Sequence, residues 1–65
     1  MFKPLELKAA MVRAGITQKA LAARIGISEQ TLIRKMRTGK FTIQEVSDIT
    51  KVLKLDNIQD IFFAD

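Results

Sequence analysis

Three glycines divide the first forty residues of this chain into short segments. Gly15, Gly26 and Gly39 each follow a stretch in which apolar residues recur at spacings of three and four. That spacing is typical of one face of an α-helix, and glycine is common directly after a helix ends. The chain is therefore predicted to form several short helices, and Pro4 suits the first turn of the earliest one.

The apolar spacing predicts five helices in all. The first runs from about Pro4 to Ala14, the second from Gln18 to Ile25, and the third from Glu29 to about Arg37. A Thr42–Glu45 capping box begins a fourth helix that ends near Leu53, and a short fifth covers Ile58 to Phe62. The residues expected to face the core are Leu7, Ala10, Met11, Ala14, Leu21, Ala22, Ile25, Ile27, Leu32, Met36, Val46, Ile49, Thr50 and Leu53. No segment alternates as a strand does, so the predicted fold is an all-α bundle.

The length and composition exclude several classes of function. With 65 residues, of which 48% are hydrophobic, the chain is expected to form one domain, residues 1–65, around a single core. It contains no Cys and no His, which excludes a disulfide framework, a zinc site and Cys- or His-based catalysis. We therefore expect no enzyme activity, metal, cofactor or small-molecule ligand. Its short apolar runs also indicate neither a membrane span nor a signal peptide, so a cytoplasmic protein is expected.

The net charge of +4 is unevenly distributed. Residues 1–40 carry nine basic and two acidic side chains, whereas residues 41–65 carry two basic and five acidic ones. A basic surface of this kind suits a polyanion, although a solvated basic surface would give the same composition.

The segment around Gly26 gives the clearest structural signal. Thr17 and Ser28 are capping residues for the second and third helices, which a three-residue turn containing Gly26 would join. Ala22 is small enough for the two helices to approach closely, and Gly26 can adopt the positive φ of a sharp bend. Residues 17–38 are therefore predicted to form a helix-turn-helix.

The stretch from Gly15 to Ser28, GITQKALAARIGIS, resembles the helix-turn-helix of the phage repressor and Cro type, also called the xenobiotic-response-element family. The resemblance implies that helix 3 enters the major groove of double-stranded DNA and that a homodimer binds two half-sites. It favours a sequence-specific transcriptional regulator, a small Cro-like repressor that binds an operator. The alternative is an antitoxin or adaptor that uses the same fold to bind a protein.

The same resemblance assigns residues to the DNA. Those expected at base edges are Glu29, Gln30, Thr31, Ile33 and Arg34, and those expected at the DNA backbone are Gln18, Lys19, Ser28, Lys35, Arg37 and Lys40. Gln30 has the amide that suits adenine and Arg34 the planar fork that suits guanine. Glu29 either accepts a hydrogen bond from cytosine or repels phosphates, and Gln18 is expected to help orient it. The alternative is that Ile33 packs partly against the loop and that the polar residues are simply solvated: Gln30, Thr31, Lys35 and Arg37.

Two features lie outside the common family pattern. Lys35 and Met36 occupy the positions of an apolar and an acidic residue, and Phe41 precedes the fourth helix, where we expect it to join the core rather than stack on bases.

The C-terminal segment carries more apolar side chains than a five-residue helix can bury. A dimer interface is therefore predicted at Ile58, Phe62 and Phe63, with Phe63 facing outward; alternatively, Phe63 folds back towards Phe2.

Overall fold

The computed structural model describes residues 2–63, and these form five α-helices. The helices are α1 (Pro4–Ala14), α2 (Gln18–Ile25), α3 (Glu29–Thr38), α4 (Ile43–Leu53) and α5 (Ile58–Phe62). No β-strand is present in this part of the chain. The all-α prediction is confirmed, and α3 ends one residue later than predicted because Gly39 provides its left-handed C-cap. None of the helices in residues 2–63 has the length and apolar character needed to cross a membrane.

Side-chain caps fix the starts of α2 and α3, as the sequence predicts. The Thr17 hydroxyl accepts a hydrogen bond from the Ala20 backbone N–H at 3.1 Å, and the Ser28 hydroxyl accepts one from the Thr31 N–H at the same distance. Each cap satisfies an N–H group that the first turn of a helix leaves unpaired. The starts of α2 and α3 are therefore specified locally.

The turn between α2 and α3 has the predicted geometry. Gly26 has φ +82°, and the Ile27 N–H donates to the Ala22 carbonyl at 3.0 Å, which closes the end of α2. Ala22 is buried where the helices meet, and Ile27 packs against the core. These contacts set the angle at which α3 leaves α2.

One core joins all five helices. The largest fully buried side chains come one from each helix: Leu7, Leu21, Leu32, Ile49 and Ile61. Burying a side chain of this size contributes about 1.5 to 3 kcal/mol relative to leaving it exposed. Since no helix can bury its apolar stripe without the others, the five helices depend on one another for stability.

Ala14 was predicted to face this core, and that prediction is wrong because Ala14 is exposed. It is the last residue of α1, beside a depression of about 410 Å³ that the turn between α4 and α5 leaves open. The helical spacing that places Ala14 on the inward stripe says nothing about how far the neighbouring helices extend.

A cluster of three phenylalanines closes one end of the core. The rings of Phe2, Phe41 and Phe62 lie 5.2 to 5.5 Å apart, centroid to centroid, in tilted, stacked and edge-on arrangements. The Lys3 N–H donates to the Ile61 carbonyl at 2.7 Å, so the N-terminal residues are held against α5. Phe41 thus packs against the core, as predicted.

Phe62 belongs to the same cluster and is only 8% exposed, which corrects its assignment to a dimer interface. Phe63 is 52% exposed and faces outward, as predicted. Phe62 is buried because two residues distant from it in sequence, Phe2 and Phe41, converge on it, and helical spacing within α5 does not reveal that convergence.

We predict that Gly39→Ala destabilises the protein more than Gly26→Ala. Both glycines have positive φ, where an alanine costs about 1 to 2 kcal/mol. A Cβ at Gly39 would also lie 2.9 Å from the Phe2 Cβ, whereas a Cβ at Gly26 would meet no atom within 4 Å. Urea unfolding of the two variants measures the difference, and equal losses would contradict the Phe2 contact.

Candidate nucleic-acid interface

The outward surface of α3 is polar and accessible. Leu32 and Met36 are buried, and the residues between and beyond them on the opposite face are exposed. The predicted base-contacting residues in this exposed set are Glu29, Gln30, Ile33 and Arg34. Gln30, Ile33, Arg34 and Arg37 follow spacings of three and four, so they lie along one face of α3.

Ser28 and Thr31 differ from the rest of the predicted site because they bond to each other. The Ser28 hydroxyl donates to the Thr31 Oγ1 at 2.8 Å, in addition to accepting from the Thr31 N–H. Thr31 is half-buried, and its oxygen is already occupied as an acceptor. The pair therefore fixes the first turn of α3, and the Thr31 hydroxyl proton stays free to donate.

A groove beside the α3 face brings together residues from three helices. It has a volume of about 360 Å³, and its walls include Gln18 from α2, Ile33 and Arg37 from α3, and Lys8 from α1. Gln18 was expected to orient Glu29, but no hydrogen bond joins these two side chains within residues 2–63. Gln18 lies beside Ile33 and Arg37 instead.

Lys8 is a residue of this groove that the sequence did not identify. On α1 it lies off the apolar stripe, like any solvated lysine. Only the packing of α1 beside α2 and α3 shows that it borders the same groove as Gln18 and Arg37. The basic character of residues 1–40 was the available signal, but it did not distinguish Lys8 from the other cations.

The remaining predicted backbone contacts divide into free and occupied cations. Lys19, Arg37 and Lys40 are exposed, as phosphate contacts must be. Lys35 is different: its Nζ lies 3.1 Å from Glu45 Oε1 and donates to the Lys40 carbonyl at 3.5 Å. The ammonium group therefore links the end of α3 to the start of α4, and Lys35 differs from the exposed cations in having an acidic partner.

The Lys35–Glu45 pair is built into the capping box of α4. Glu45 Oε1 accepts from the Thr42 N–H at 2.8 Å, while Thr42 Oγ1 accepts from the Glu45 N–H at 3.1 Å. Burial acts to raise the pKa of the Glu45 carboxyl, but the Thr42 N–H and the Lys35 ammonium outweigh it and the pKa is lowered. Glu45 is therefore held as a carboxylate with bonds to two elements.

The arrangement as a whole is that of a helix-turn-helix protein: two capped helices meet at a glycine turn, and the second presents a polar face next to exposed cations. Among residues 2–63 no group of Cys, His, Asp and Glu is placed to hold a metal ion.

The family model for a Cro/C1-type HTH DNA-binding domain matches residues 6–63. The chain belongs to this family, and it is a DNA-binding transcriptional regulator. Comparisons with curated proteins and with solved structures gave no significant match.

We predict that Glu45→Gln lowers stability most above about pH 5. Because the folded-state pKa of Glu45 lies below its unfolded value, the carboxylate stabilises the fold above that value and loses its contribution as the pH falls. The difference in unfolding free energy between wild type and variant should shrink below about pH 4. The control is Asp56→Asn, at an exposed turn position. A difference that is constant from pH 7 to pH 3 would contradict the ion pair.

Proposed function

We propose that this protein is a Cro-like repressor of phage or prophage type that binds operator DNA as a homodimer in the cytoplasm, with residues 1–65 acting as one domain. The observation that carries the proposal is the outward face of α3, where Gln30 and Arg34 are exposed beside a capped helix start. In a helix-turn-helix of this kind, the N-terminal part of the second helix contacts base edges in the major groove.

Base contacts in this proposal follow from side-chain chemistry. Gln30 can both donate and accept, which suits the N6 and N7 atoms of adenine, and the Arg34 guanidinium suits guanine O6 and N7. Ile33 is 46% exposed between them and can contact a thymine methyl group. Glu29 and Thr31 complete the set, with Glu29 accepting from a cytosine amine and Thr31 donating its hydroxyl proton.

Backbone contacts in the proposal flank the α3 face. Exposed cations at Lys19, Arg37 and Lys40 neutralise phosphates, and the Gln18 side chain donates to one at the start of α2. Ser28, at the start of α3, adds a contact there. We add Lys8 to this set because it borders the groove shared by Gln18 and Arg37.

Homodimerisation is proposed because one short helix contacts too few base pairs for a specific site in a genome. An apolar groove of about 340 Å³ lies between α4 and α5, and we call it the α4–α5 groove. It is lined by Ile43, Val46, Ser47, Thr50, Lys51, Ile58 and Phe63. Ile43 is 79% exposed and Phe63 52%, so two large apolar side chains border one groove in contact with water. Such a patch favours self-association, and it retains Ile58 and Phe63 from the predicted interface.

We expect Arg34→Ala to weaken binding to the preferred duplex by about 1 to 3 kcal/mol and to relax the preference at one base pair. Selection from random duplexes identifies the preferred sequence and its half-site spacing, and titrations with single-base variants of it give the energies. Lys40→Ala is the matched control: it should weaken binding to all sequences alike and reduce the salt slope by about one. Loss of affinity for Arg34→Ala that is equal on every sequence would refute base contact by Arg34.

We expect Phe63→Ala to reduce self-association and the affinity for a two-half-site operator, while binding of one chain to a single half-site stays near wild type. Gln59→Ala, at an exposed position of α5, is the control. Sedimentation without and with operator DNA measures the self-association of the free chain and of the DNA-bound chain. If wild type and Phe63→Ala bind the two half-sites with the same affinity and cooperativity, the α4–α5 groove is not the dimer interface.

A further inference from the structure

Helix α1 has an apolar face that the core does not use. Leu5 and Val12 are 77% and 80% exposed, and they lie seven residues apart on the side of α1 opposite the buried Leu7 and Met11. Ala9, which is half-buried, lies between them at spacings of four and three, on the same side. We call Leu5, Ala9 and Val12 the α1 seam. Isolated exposed apolar residues are ordinary, but a row at helical spacing is the pattern of a helix that packs on a partner.

Charged residues follow the seam along one edge. Glu6 and Arg13 are exposed and also lie seven residues apart, so each stands beside one of the large seam residues. Neither makes an ion pair within the part of the chain that the structure describes. This edge therefore carries a negative group at one end of α1 and a positive group at the other.

This arrangement is self-complementary when two copies of α1 pack antiparallel about a two-fold axis. Leu5 then faces the partner's Val12, and Glu6 lies next to the partner's Arg13, each contact occurring twice. The small side chain of Ala9 falls near the axis, where it lets the helices approach. Parallel packing about a two-fold axis would instead place the edge that carries Glu6 and Arg13 against the partner's Lys8 edge, which leaves Arg13 without an acidic partner.

The opposite edge of the seam carries Lys8. Antiparallel packing brings Lys8 near the partner's Lys8, but its long stem lets the ammonium group stay in water. The two ammonium groups can therefore move apart, which limits their repulsion.

We propose that the α1 seam is a docking surface for the α1 seam of a second copy of this chain, packed antiparallel. Helix α1 has eleven residues and is about 16 Å long, so the contact is smaller than a stable interface requires and is weak between free chains. It becomes effective when two chains are held close together, for example at neighbouring sites on DNA.

The seam shares no residue with the α4–α5 groove, so one chain can use both surfaces. Two different two-fold contacts on one chain join dimers to one another. The seam therefore goes beyond a single operator-bound dimer and links adjacent dimers.

Cysteine cross-linking tests the proposal directly, since the natural chain has no cysteine to interfere. At high protein concentration Ala9→Cys should form a disulfide dimer about tenfold faster than Ala23→Cys, an exposed alanine of α2. A mixture of Leu5→Cys and Val12→Cys should cross-link faster than either variant alone, because these residues face each other only in the antiparallel arrangement. Equal rates for Ala9→Cys and Ala23→Cys, or faster cross-linking of Leu5→Cys alone than of the mixture, would overturn the proposal.

Charge reversal provides the second test, in the Ala9→Cys background. Glu6→Arg and Arg13→Glu should each slow cross-linking severalfold, since each creates two like-charge contacts. An equimolar mixture of the two variants should recover the rate, because every pair is then opposite in sign. A loss of helix stability in the variants cannot produce this recovery. If the mixture does not recover the cross-linking rate, the charged edge is not part of the contact.

A third variant separates the seam from the proposed dimer interface. Adding Phe63→Ala to Ala9→Cys should leave the cross-linking rate near that of Ala9→Cys alone. A rate that falls to the level of Ala23→Cys would show that the contact depends on the α4–α5 groove and would overturn the seam as an independent surface.

Discussion

The position of α3 depends on the single core to which every helix contributes one of the largest fully buried side chains. Helices of five to eleven residues are too short to be stable alone in water, so their order comes from packing. Leu32 is the contribution of α3, and burying it turns Gln30 and Arg34 away from the core. The burial of Leu32 thus determines which face of α3 is exposed and is proposed to contact bases.

A second contact fixes the far end of α3. Leu32 determines the rotation of the helix, and the Lys35–Glu45 ion pair holds its C-terminal turn against the start of α4. The same carboxylate caps α4 through the Thr42 N–H, so the loop carrying Lys40 is held at both ends by one side chain. The departure from the common family pattern at Lys35 and Met36 therefore has a structural explanation. Met36 is buried in the core, and Lys35 pairs with Glu45, the carboxylate that also caps α4.

Sequence reasoning predicted what local chemistry decides. The helix boundaries could be predicted because they depend on nearby residues. Thr17 and Ser28 cap the helices that follow them, and the glycines end the helices that precede them. Contacts between distant segments could not be predicted: Ala14 is exposed beside the turn between α4 and α5, Phe62 packs against Phe2 and Phe41, and Lys35 pairs with Glu45. In the candidate site, the exposed face of α3 could be predicted from the helical spacing of its residues. The shared groove with Lys8 could not, because it exists only once α1 packs beside α2 and α3.

The surface of this small bundle carries two kinds of exposed patch, one basic and one apolar. Five exposed cations lie on α2, on α3 or in the loop after α3: Lys19, Arg24, Arg34, Arg37 and Lys40. The large exposed apolar residues other than Ile33 lie on α1 and around the α4–α5 groove. Apolar side chains beside phosphates would gain nothing, and cations in an apolar contact would have to lose their water. Separating the two kinds of surface lets DNA binding and self-association occur together. Because chains on neighbouring sites are already close, even a contact as small as the α1 seam can then make the occupation of one site favour the next.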